Sequence, residues 1–223
     1  MLKESSFAIF EYELVDAQLI DDLANYLDNK AKDIFDYFEV KIPEDKIKIK
    51  IIPTKKEFDD IYLRKWGHSA ENWAIGFYDN IKNGITYLSI NDYKNTSHKF
   101  EPHEYNLAII HYRKTIVHEF VHYVNDLFKL KHNCGYTEKY LSEGIATYLS
   151  NQKDNMDFKF NFSLEEIYNN KGCYNAWYML TKTLIENYNK EFVFNLIKSN
   201  RKAREFLEKE LYNKTQRQYD NNK

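Results

Sequence analysis

Apolar residues recur every three or four positions at Ile20, Leu23, Leu27, Ala31, Ile34, Phe35 and Phe38, with polar residues between them, so this stretch is predicted to be an amphipathic helix ended by Pro43. The period then drops to two. Lys46-Ile47-Lys48-Ile49-Lys50-Ile51 alternates strictly, which predicts a strand with one apolar face and a solvated or edge-protecting lysine face. After Pro53, Thr54-Lys55-Lys56-Glu57 has the form of a capping box and opens a short helix carrying Phe58, Ile61 and Tyr62. Trp73–Asp79 and Ile85–Asn91 flank Asn83-Gly84, a pair that accepts positive φ, and so read as a hairpin.

Helical spacing returns from about Glu104 to Phe128 through Leu107, Ile110, Val117, Val121 and Val124. A short loop with Gly135 leads to a second helix near Glu138–Leu149. A capping box at Ser163-Leu164-Glu165-Glu166 opens another, and Trp177, Leu180, Leu184 and Ile185 mark the next. Shorter helices follow near Glu191–Lys198 and Lys202–Tyr212. The polar tail, 213–223, is expected to fray. Strands are thus expected in the first half only, in one α+β chain without repeats or linkers. Residues 1–44 form an N-terminal helical segment packed on a domain of residues 45–212.

Composition narrows the function. The 223 residues are 43% hydrophobic and 30% charged, with 32 basic against 34 acidic side chains, so there is no global charge to attract nucleic acid or an anionic membrane. Lys46, Lys48 and Lys50 alone make a poor nucleic-acid ridge. No apolar run is long enough to span a bilayer, and the acidic residues among the first thirty leave no signal-peptide core. The chain as written is therefore expected in the cytoplasm, or outside the cell if a leader has been removed. Cys134 and Cys173 cannot make a disulfide framework and are expected as free thiols.

His118-Glu119-Phe120-Val121-His122 lies in the strongest helical pattern. An HExxH run is expected by chance only about 0.02 times in a chain of this composition. Four residues advance about 400° around a helix and about 6 Å along it, so both imidazoles leave one face and can grip a single tetrahedral zinc. Glu119, one position on, can take a proton from the metal's water without ligating. A catalytic zinc needs a third protein ligand and an open fourth position. Glu143 is the best candidate: it sits in Tyr140-Leu141-Ser142-Glu143-Gly144-Ile145-Ala146, and the twenty intervening residues let a second helix return alongside. Gly144 and Ala146 permit close helix packing.

HExxH followed by Leu141-Ser142-Glu143-Gly144-Ile145-Ala146 resembles the gluzincin branch of zinc metallopeptidases, closest to its compact, peptidase-MA-like members. The likeness extends over roughly residues 45–200. It takes in the lysine/isoleucine strand, Pro53, Phe58, Trp73-Ala74-Ile75-Gly76, Ile85–Asn91, Tyr174-Asn175-Ala176-Trp177 and Leu184–Tyr188. Tyr140 stands where many relatives have Trp, and Asn189 where many have a glycine; asparagine also tolerates the left-handed conformation.

The resemblance implies a zincin-like domain, a small twisted sheet over the HExxH helix with a mostly helical C-terminal half. It implies one zinc per chain on His118, His122 and Glu143, with Glu119 as general base and acid in the hydrolysis of a peptide or protein substrate. It also implies a tyrosine as oxyanion donor. Tyr174 matches by position, with Tyr148, Tyr140 and Tyr136 as alternatives. In zincins the strand before the active-site helix pairs with extended substrate, a role that falls on Ile85–Asn91, with Gly76 allowing close backbone approach. The rival expectation is a non-catalytic or single-substrate zinc-binding interaction module, favoured by the 17% aromatic content. Asn125, Asp126 and Thr147 are candidate acceptors behind the histidines. His111 lies about 10 Å along the helix from His118, too far to share its ion. His132 and Cys134 lack partners for a second metal site.

Overall fold

The computed structural model describes residues 1–96, 105–153, 159–169 and 172–220. Contacts divide the chain into two compact units, Met1–Asp126 and Leu127–Lys223. The fold is α+β: a small mixed five-stranded sheet in the first unit, with helices elsewhere. No described helix is long and apolar enough to cross a membrane.

The first unit is built on the strands β1 (Leu2–Glu4), β2 (Ala8–Glu11), β3 (Ile47–Ile52), β4 (Gly76–Asp79) and β5 (Gly84–Leu88), in the spatial order β1-β2-β3-β5-β4. β2, β3 and β5 run parallel, and the two outer strands are antiparallel to their neighbours. Parallel neighbours need a crossover. Helix α1 (Ala17–Phe38) carries the chain from β2 to β3, and α2 (Lys55–Trp66) follows β3. The N-terminal segment expected to be helical thus contributes two strands as well as a helix. They are short, three and four residues, and their turn is closed by a residue distant in sequence: Asp28 of α1 accepts from Ser5 Oγ at 2.9 Å and from the Ser6 N–H at 2.8 Å.

The α1 stripe is as expected, with Leu27, Ala31 and Phe38 fully buried. Its end is not set by Pro43. Glu39 takes a left-handed conformation (φ 53°) and its N–H reaches back to Asp36 and Phe35. The Thr54 hydroxyl caps α2, accepting from the Glu57 N–H at 3.2 Å. In β3, Ile47, Ile49 and Ile51 are buried and Lys48 and Lys50 exposed. This strand is central, so its lysines protect no edge. Lys46 instead pairs with Glu4 at 2.8 Å and Lys50 with Glu11 at 3.5 Å.

The long helix α3 (Tyr105–Lys131) carries the HExxH run, and the boundary between the units falls within it. The first residue of its expected span, Glu104, lies outside the described residues. On the sheet face shared with α1 and α3, Phe35 meets Phe120 edge-on at 5.7 Å and Tyr87 meets Tyr112 at 4.6 Å. On the opposite face α2 covers β4, with Phe58 and Phe77 at 5.5 Å.

The second unit is helical: α4 (Lys139–Leu149), α5 (Leu164–Asn169), α6 (Tyr174–Asn187), α7 (Lys190–Ile197), α8 (Asn200–Phe206) and α9 (Tyr212–Asp220), with a π-turn at Leu207–Leu211 joining the last two. The capping box before α5 is reciprocal, as Ser163 Oγ accepts from the Glu166 N–H at 3.2 Å and Glu166 accepts from the Ser163 N–H at 2.7 Å. Trp177 is fully buried and its indole N–H donates to the Ile167 carbonyl at 3.0 Å. The expected frayed tail is helical through Asp220. It is held by buried Leu211 and Thr215 and by the Tyr212 hydroxyl, which donates to the Phe162 carbonyl at 2.9 Å. Asn189 is not left-handed either (φ −71°); its side chain caps α7 by accepting from the Phe192 N–H at 2.9 Å.

Candidate metal centre

Around the HExxH run the helix is enclosed: Ile116, Val117, Phe120, Val121 and Val124 are fully buried. His118 and Glu119 share this setting at 4% and 8% exposure, and His122 is half-buried. Burying such groups is costly unless they find polar partners. The helical spacing brings the two imidazoles together, with ring centroids 4.8 Å apart and Nε2 facing Nε2 at 3.1 Å. Two nitrogens on one tetrahedral ion with bonds of about 2.0–2.1 Å stand roughly 3.3 Å apart. The pair therefore has the spacing of two ligands of a common ion. Without an ion, the same spacing suits a hydrogen bond between two neutral rings.

Glu119 turns to the sheet. Its Oε2 accepts from the backbone N–H of Tyr78 in β4 at 2.9 Å. Gly76, two residues earlier, lies directly under this side chain: a Cβ there would stand 3.3 Å from Glu119 Cγ and 2.5 Å from the Tyr87 ring. The glycine thus makes room for Tyr87 and Glu119. The Tyr78 phenol is pushed well above its ordinary range by burial and by the carboxylate of Asp126.

His118, His122 and Glu143 form a group that could hold a metal ion: one ligand atom from each lies within 4.8 Å of the others. Two neutral imidazoles and one carboxylate suit zinc and other first-row divalent ions, and leave one tetrahedral position for water.

Glu143 stands mid-way along α4, whose packing against α6 depends on Gly144. A Cβ at that glycine would meet Thr181 Oγ1 at 2.0 Å and the Trp177 carbonyl at 2.5 Å.

The tyrosines separate. Tyr140 is buried and its hydroxyl donates to the Ala203 carbonyl at 2.9 Å, so it is committed to the helix packing. Tyr148 is half-buried beside Tyr178, with ring centroids 6.3 Å apart. Tyr136 is exposed, its phenol raised by partial desolvation and by the carboxylates of Glu138 and Glu143. Tyr174 opens α6, half-buried, its ring 5.0 Å from Trp177.

Of the candidate acceptors behind the histidines, Thr147 spends its hydroxyl on the Glu143 carbonyl at 2.8 Å, and Asp126 lies against Tyr78. Asn125 is buried, with no hydrogen-bond partner for its Oδ1 among the described residues. His111 is hydrogen-bonded to the Tyr93 hydroxyl, and the His132 ring lies 4.4 Å from Phe128. Both cysteines are free thiols.

The strand to which the sequence assigned substrate pairing, Ile85–Asn91, contains β5, which is interior to the sheet. β5 has β3 on one side and β4 on the other, so neither of its edges can take another strand. β4 is the outer strand, and it is the one whose N–H reaches Glu119.

No family model, curated protein or solved structure matches the chain.

Proposed function

We propose that the protein is a zinc-dependent peptidase on a zincin-like fold, with His118, His122 and Glu143 as ligands and Glu119 as general base and acid. The observation that carries this reading is the facing pair of imidazole nitrogens with an adjacent carboxylate held at the sheet edge. A structural zinc site closes its fourth position with another protein ligand. Among the described histidines, cysteines, aspartates and glutamates, the group that could hold an ion comprises these three.

Zinc bound here would polarise the scissile carbonyl and bring the pKa of its water toward about 7. Glu119 accepts the proton of the attacking water and then passes it to the leaving amine nitrogen. The 8% exposure of Glu119 keeps bulk water from competing for that proton. Tyr174 supplies a hydroxyl donor to the developing oxyanion, with Tyr136 or Tyr148 in reserve. The outer edge of β4 takes the substrate in extended form.

The test is direct. Purified protein loaded with zinc is expected to hold about one ion per chain and to cleave members of a peptide library at neutral or mildly acidic pH, reversibly blocked by a chelator. One bound ion with no cleavage retires the catalytic part of the reading. No bound ion retires the metal centre.

A further inference from the structure

The outer edge of β4 has a defined register. The Leu88 N–H donates to the Ile75 carbonyl at 2.7 Å, so Ile75 is bonded toward β5. Bonded and non-bonded pairs alternate along an antiparallel ladder. Phe77 and Asp79 therefore also face β5, and the backbone groups of Gly76 and Tyr78 face outward. The bond from the Tyr78 N–H to Glu119 confirms this alternation. An antiparallel peptide added here bonds to the Gly76 N–H and carbonyl and to the Tyr78 carbonyl, the Tyr78 N–H being held by Glu119, and one of its residues lies directly across from Phe77. That non-bonded pairing brings side chains closest, with Cα atoms about 4.5 Å apart.

The side chain across from Phe77 shares Phe77's face of the sheet, opposite to the Glu119 face. There the last turn of α2 supplies an aromatic surface. Phe77 meets Trp66 edge-on at 4.8 Å and Tyr62 edge-on at 5.5 Å. Trp66 is 39% exposed, and Leu63 on the same helix is exposed too. The turn is fastened in place: Lys65 forms an ion pair with Asp79 of β4, and its ammonium lies 4.9 Å from the centre of the Trp66 ring. Gly67 ends the helix in a left-handed conformation immediately after Trp66. A half-exposed indole held beside the outer strand has the form of a side-chain recognition wall rather than of core packing.

We propose that Trp66 is a specificity-determining residue: it receives the substrate side chain lying across from Phe77 and selects an aromatic or large aliphatic residue there. This inference rests on the peptidase reading above. In a peptide that the zinc-loaded protein cleaves, each residue flanking the cut is replaced in turn by Ala, Leu and Phe. One position is expected to favour Phe or Leu over Ala by about tenfold in kcat/KM, in line with the discrimination of an apolar pocket. In Trp66→Ala that ratio is expected to fall below about twofold, and in Trp66→Phe to be largely kept. Should Trp66→Ala fail to fold, Trp66→Gln gives the same reading.

A preference that survives loss of the indole, or an equal fractional loss for all three peptides, overturns the proposal and leaves the hydrolase reading standing. Absence of cleavage by the wild-type protein removes both.

Discussion

The backbone N–H of Tyr78 donates to Oε2 of Glu119 across 2.9 Å, tying the outer strand of the sheet to the helix that carries both histidines. A carboxylate at 8% exposure is costly to bury without such a donor. A hydrogen bond to one oxygen also orients the other, so the strand that would hold substrate aims the group that would move the proton. Gly76 completes the arrangement, since any larger residue would drive its Cβ into Tyr87.

Glu119→Gln is expected to keep the fold, because the amide oxygen can still accept from Tyr78, and to keep the metal, because no ligand is touched. Loss of the proton acceptor should lower kcat by about 10²–10⁴-fold. Metal content and single-turnover cleavage check this, and activity within a few-fold of wild type rejects Glu119 as the base.

Tyr78→Pro removes the donor itself. Proline is tolerated on an outer strand where its missing N–H pointed away from the ladder. Tyr78→Ala serves as the control for the lost ring. Relative to that control, Tyr78→Pro should lower kcat by about tenfold at unchanged zinc content, the scale of a charge-assisted hydrogen bond used for positioning. Equal rates for the two variants would show that Glu119 is oriented by something else.

How far all this was legible in the sequence depends on the range of the forces involved. Local periodicity revealed α1 and β3 because each buries one face along its whole length, and the HExxH helix through Val117, Val121 and Val124, although Leu107 and Ile110 of the same pattern are exposed. β1 and β2 escaped, since three or four residues carry no period and their turn is closed by Asp28 from α1. The last helix escaped for the opposite reason: its sequence is nearly all polar, and its anchors are single residues such as Thr215. His118, Glu119 and His122 were readable because helix geometry alone brings them together. Glu143 was suggested by the small residues after it. The bond from Tyr78 to Glu119 joins residues 41 apart through the order of strands, and no local pattern encodes that order.

Gly144→Ala tests the packing that underlies Glu143. Thr181 could rotate its hydroxyl away, but the Trp177 carbonyl at 2.5 Å is backbone and cannot yield without shifting α6. Overpacking of this kind typically costs about 1–3 kcal/mol. The variant should melt several degrees lower, and adding Thr181→Ala should restore only part of the loss. Complete rescue by the double variant would place the whole obstruction in the threonine.

Asp79 gives a pH-dependent prediction. Burial pushes its carboxyl pKa up, but the bond to Lys65, the Lys82 N–H, the Lys65 charge and the Ile81 N–H together outweigh this and hold the pKa below its ordinary value. A carboxyl depressed on folding adds stability that is fully present above its unfolded pKa, about 3.9, and is lost as pH falls through the lower folded value. Asn at this position keeps an oxygen for the two backbone donors at 3.0 and 3.1 Å, and removes only the charge facing Lys65, which is itself mostly buried. Asp79→Asn should therefore be less stable than wild type by about 1–3 kcal/mol at pH 6–7. The gap should narrow steadily below about pH 4. Denaturant melts of both proteins across that range check the sign: a gap that stays constant, or widens in acid, would mean that the Lys65 pair does not hold α2 on β4.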